Sequence, residues 1–183
     1  MAILQNFLHQ RKGRIALFSA IVTFLAYTCI FSYRKAFTVA PFGGYQLWGI
    51  DYKIILVITQ VMGYMLSKFY GIRFIAELKR QGRGRLILLL TGISWLSWLC
   101  FALLPPPYNF WCLFFNGFPL GMLWGVVVSY VEGRRSTDFI SAFLAVSFIF
   151  GSGLAKSVGS AVMQFGQVSE YWMPFTVGLV FSL

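Results

Sequence analysis

Long apolar runs parted by short basic segments dominate this chain and leave it few folds. A helix that crosses a bilayer needs about 20 such residues. Runs of about that length cover residues 15–40, 52–75, 86–104, 109–131 and 139–164. A sixth begins near Tyr171 and meets the chain end at Leu183 too soon to cross, so the C-terminus reads as a truncation. With 58% hydrophobic and 11% charged residues, the chain is more apolar than soluble domains, which are typically about 45–50% apolar. The expectation is an all-α, polytopic integral membrane helix bundle, 15–183, behind an N-terminal tail, 1–14. Pro41, Gly43 and Gly44 break the first span, and Pro105, Pro106 and Pro107 stop the third. Asp51 stands at the start of the second, where the helix dipole favours a negative charge.

The basic residues flank the spans asymmetrically. Arg11, Lys12 and Arg14 precede span 1. Lys79, Arg80, Arg83 and Arg85 lie between spans 2 and 3, with Arg73 close by, and Arg134 and Arg135 between spans 4 and 5. The opposite side holds Lys53. The positive-inside rule then puts the N-terminus and these two loops in the cytoplasm. The location expected is a bacterial inner membrane. The same clustering explains the net charge of +10 without nucleic acid as a partner. The first apolar run is too long for a signal peptide, and no A-x-A site follows it. Cys29, Cys100 and Cys112 have no metal or disulfide spacing and read as small buried thiols. No HExxH, clustered His/Cys or Ser/His/Asp set is present, so neither an enzyme nor a metal or other cofactor is expected.

Four cations interrupt the apolar runs: Arg34, Lys35, Lys68 and Lys156. A cation at the bilayer centre costs at least about 3 kcal/mol on insertion scales, so such residues usually mark function. The acids Asp51, Glu77, Glu132, Asp138 and Glu170 all fall at span ends or in loops. Arg offers a planar fork to phosphate or carboxylate, and Lys adds a point charge, so the group suits a small anion. Helical spacing puts Thr23, Tyr27, Arg34 and Thr38 on one stripe of span 1. Gln60, Tyr64 and Lys68 form another in span 2, and Ser152, Lys156, Ser160 and Gln164 a third in span 5. The substrate-binding set expected is Arg34, Lys35, Lys68 and Lys156, with Tyr27, Tyr64 and Gln60. Ordinary interhelical hydrogen bonding is the competing account of the Ser and Thr positions, and snorkelling that of Lys35 and Lys68.

Several of these residues stand in motifs. Tyr33-Arg34-Lys35-Ala36-Phe37 is similar to an R-K-x-F signature, and Tyr64-Met65-Leu66-Ser67-Lys68-Phe69 to Y-x-x-S-K-F. Gly117 to Trp124 follows G-x-x-x-G-M-x-W, and Gly151 and Gly153 match in place. In this order they resemble the organophosphate:phosphate antiporter branch of the major facilitator superfamily. The resemblance implies the N-terminal six-helix half of a twelve-helix transporter, with a C-terminal half missing from this chain. It implies Arg34 as a phosphate ligand at the cleft apex and Lys68 as a second cavity cation. The chain departs from the pattern in the 2–3 connection, Glu77-Leu78-Lys79-Arg80 then Arg83 and Arg85, and at Phe148, where the branch has a histidine nearby. The functional expectation is a secondary transporter of a small anionic, phosphate-containing solute by alternating access. The alternative is a non-transporting membrane sensor or assembly protein of the same build.

Overall fold

A computed structural model describes the backbone of residues 2–77, 82–131 and 137–182, and the side chains of 13–77, 82–130 and 138–182. The basic residues Lys79, Arg80, Arg134 and Arg135, and Glu132, lie outside the described residues, as do the side chains of His9, Arg11 and Lys12.

A bilayer core holds no water to satisfy peptide groups, so a spanning chain must hydrogen-bond within itself, and a helix does so locally. The described residues form six α-helices: α1 (Ala2–Lys35), α2 (Tyr52–Glu77), α3 (Arg83–Leu103), α4 (Phe110–Val131), α5 (Thr137–Gly166) and α6 (Met173–Ser182). Five of them hold segments long and apolar enough to cross a membrane, and α6 is shorter. The protein is an all-α polytopic bundle, as expected, and an integral membrane protein by its helices. Two details differ. The helical backbone of α1 reaches back through the residues read as a tail, and it ends at Lys35, passing into a 3-10 turn over Ala36–Val39.

The loop after α1 carries a small hairpin, β1 (Gln46–Leu47) against β2 (Ile50–Asp51), with Gln46 opposite Asp51. Its turn residues Trp48 and Gly49 both have positive φ, 56° and 73°, as a tight two-residue hairpin requires. Phe42 also sits in the left-handed region, at φ 50°. Its N–H donates to the Glu170 carboxylate over 2.8 Å, which ties this loop to the connection between α5 and α6.

Helix pairing is governed by small residues. α2 packs on α4, α1 on α5, and α3 behind α4, while α6 closes on α1 and α3. Along the α2–α4 seam backbone meets backbone. A side-chain carbon on Gly63 would strike the Phe114 carbonyl, one on Gly117 the Gln60 carbonyl, and one on Gly121 the Ser67 hydroxyl. This is the close approach that small residues permit between helices in lipid, where apolar burial gives little drive. Gly153 of α5, by contrast, faces open space. Aromatic and aliphatic side chains fill the interior, among them Tyr33, Phe37, Trp98 and Phe101, while Phe18, Phe69, Leu88 and Ile149 stand exposed on the outer surface. All three cysteines are free. Cys112 is buried and Cys29 half-buried, but Cys100 is exposed, against the expectation of three buried thiols.

Candidate functional site

The site forms where α1 stops being an α-helix. The last carbonyls of a helix have no intrahelical partner. Here three consecutive ones are taken by side chains. Trp98 Nε1 on α3 donates to the Tyr33 carbonyl (2.8 Å), and Gln60 Nε2 on α2 donates to the Arg34 carbonyl (3.2 Å). The Thr38 hydroxyl donates to the Lys35 carbonyl (2.6 Å). The Tyr33 hydroxyl in turn donates to the Gly178 carbonyl of α6 (2.9 Å). The end of α1 is thus gripped by α2, α3 and α6. Its dipole also presents partial negative charge near Arg34 and Lys35, which favours cations there.

Arg34 reaches from this end across to α2. Its guanidinium carbon lies 4.1 Å from the centre of the Tyr64 ring, and Lys68 Nζ lies 4.9 Å from the same centre. Lys68 Nζ is also 5.4 Å from the Trp124 ring of α4. A cation over an aromatic face gains up to about 2 kcal/mol when desolvated, which offsets part of the cost of holding charge in the membrane. Tyr64 lies halfway along α2, so the pair sits near mid-membrane. Among the described residues no carboxylate pairs with Arg34, Lys35, Lys68 or Lys156; the ion pair found there joins Arg73 to Glu77 at the end of α2. Arg34 Nε is buried without a hydrogen-bond partner in the protein.

An aromatic wall backs the two cations. Tyr27 is buried and interacts with Tyr64, and its ring lies 5.2 Å from Trp124 and 4.9 Å from Phe148. Trp124 and Phe148 are 5.0 Å apart. Phe148, noted from sequence for not being a histidine, is therefore a wall residue. Trp124 stands in the glycine motif of span 4 and joins the wall through packing alone.

Gln60 differs from expectation. It is 4% exposed, and its amide nitrogen donates to both the Arg34 carbonyl and Asn116 Oδ1 (2.8 Å). Asn116 Nδ2 continues the chain to the Ser94 hydroxyl of α3 (2.8 Å). Gln60 therefore holds the Arg34 backbone and does not line an open surface. Sequence periodicity could not separate the two, because both put Gln60 on the Tyr64–Lys68 stripe.

The remaining cations lie to one side. Half-buried Lys35 is within electrostatic reach of Arg34 and of Lys156, and Lys68 within reach of Arg34. Lys156 is exposed on α5. The span 1 stripe does not continue as drawn: Thr23 lines a cavity of about 300 Å³ beside Phe18 and Tyr130, and Thr38 belongs to the 3-10 turn. In α5, Ser152 and Ser160 are half-buried while Gln164 is exposed.

These features define a polytopic α-helical membrane protein with a cationic cluster against an aromatic wall, unpaired by any carboxylate among the described residues. The chain belongs to DUF5690, a family of unknown function, whose model matches residues 36–183. No curated protein and no solved structure matches it.

Proposed function

We propose that this protein is a secondary membrane transporter that binds a small anionic, phosphate-containing solute at the Arg34–Lys68 cluster and moves it by alternating access. One observation carries the reading. Two cations converge on Tyr64 at the middle of a membrane span with no carboxylate beside them among the described residues. Left without an anion, such a pair is costly in lipid. An anion between Arg34 and Lys68 would meet a fork and a point charge, and the unpartnered Arg34 Nε is a free donor for it. Lys35 and Lys156 add to the positive field beside Arg34. The motif resemblance supports the same reading and adds a second six-helix half to enclose the site. The positive-inside count supports a cytoplasmic N-terminus.

The test is exchange in proteoliposomes holding the full-length protein, with labelled inorganic phosphate and glycerol phosphate as probes. Arg34→Lys keeps the charge and loses the fork, so exchange should fall by at least about tenfold, a difference of about 1.4 kcal/mol, while insertion stays normal. Unchanged exchange by Arg34→Ala would remove Arg34 from the site. Failure of the folded wild type to exchange either probe would overturn transport of this substrate class.

A further inference from the structure

A cavity of about 730 Å³ lies away from the cation cluster, lined by the loop from Pro41 to Gln46, by Asp51 and by the start of α2. Its walls are of two kinds. Gln46, Asp51 and Lys53 are among its polar lining, and Ile54, Val57 and Ile58 of α2 among its apolar lining. Those three apolar side chains are exposed to the surroundings of the bundle. Depth follows from helix length. The 26 residues of α2 rise ~39 Å at ~1.5 Å each, against a hydrocarbon core of ~30 Å, which leaves about three residues beyond the core at each end. Asp51 and Lys53 then fall at headgroup level, and Val57 and Ile58 at the level of the acyl chains. Opposite charges line this one cavity, yet among the described residues they form no ion pair with each other or with another group. The exposed Trp48 at the hairpin tip suits the same interfacial layer, where indole rings concentrate.

We infer that this cavity is a binding site for a zwitterionic phospholipid of the phosphatidylethanolamine type. The lipid phosphate faces the Lys53 ammonium, the lipid ammonium donates to the Asp51 carboxylate, and an acyl chain lies along Ile54, Val57 and Ile58. An anionic lipid would satisfy Lys53 and be repelled by Asp51. A choline headgroup would present methyl groups where Asp51 needs an N–H donor. The site thus selects by both ends of the headgroup.

Native mass spectrometry of the full-length protein, released from membranes containing phosphatidylethanolamine, phosphatidylcholine and phosphatidylglycerol in equal amounts, tests this directly. The wild type should retain phosphatidylethanolamine in preference to both others. Lys53→Gln and Asp51→Asn should each weaken that retention by about tenfold, the loss expected when a hydrogen bond to a charged group goes. Equal retention of the three lipids, preference for phosphatidylglycerol, or unchanged retention in both variants would overturn the proposal. The comparison among lipids uses the wild type alone, so it holds even where a variant fails to fold.

Discussion

Replacing Gln60 with Met keeps the side chain's length and removes its amide. Two buried acceptors, the Arg34 carbonyl and Asn116 Oδ1, then lose their donor. With Gln60 only 4% exposed, water does not substitute. Unsatisfied buried groups cost about 1–3 kcal/mol each in soluble proteins, which would give about 2–6 kcal/mol here. Interhelical hydrogen bonds in membrane proteins average only about 0.6 kcal/mol, because the unfolded chain in lipid also finds partners. The second effect limits the first, and Gln60→Met should destabilise the bundle by about 1–3 kcal/mol. A double-mutant cycle with Asn116→Leu isolates the shared bond. Because the first substitution already breaks it, the double variant should lose less than the sum of the singles, by about 0.5–2 kcal/mol. Detergent unfolding of the purified protein, followed by tryptophan emission, measures all four species. A coupling below about 0.3 kcal/mol would refute the view that Gln60 and Asn116 act as one relay behind Arg34.

Two further outcomes follow from the seam and from the loops. Gly121→Ala places a methyl against the Ser67 hydroxyl and within 2.7 Å of the Tyr64 carbonyl, and should cost about 1–3 kcal/mol in the same unfolding assay. Gly153→Ala, with open space around it, should leave stability unchanged, and equal losses for the two would show that the seam is not the tight contact described. In a cysteine-free background, a cysteine at Tyr108 should react with an impermeant maleimide on intact cells, and one at Arg85 only after permeabilisation. The reverse pattern would invert the proposed orientation.

The spans were legible because their signals are local: apolar length, Pro105 to Pro107 after α3, Asp51 before α2. The cations were legible because a charge inside an apolar run stands out in any window. The end of α1 at Lys35 was not. Neither Gly nor Pro marks it, and the apolar pattern runs on to Ala40. The cause lies in Trp98 and Gln60, which come from other helices and take carbonyls that sequence periodicity does not see. For the same reason Gln60 looked like a lining residue. The meeting of Arg34 and Lys68 over one ring was also out of reach, because the spacing within a helix says nothing about which helix lies opposite. Trp124 and Phe148, supplied by α4 and α5, joined the site only through packing.

The glycine seam between α2 and α4 has a mechanical consequence. Side chains can rotate and yield, but two backbones in contact cannot be pressed closer, and nothing between them can swell. Tyr64 and Lys68 are mounted on one rail of that joint and Trp124 on the other. The spacing between the backbones that carry these three side chains is therefore set by the seam. For the anion proposed above, room beyond that spacing would have to come from α1 or α5 and not from α2 or α4.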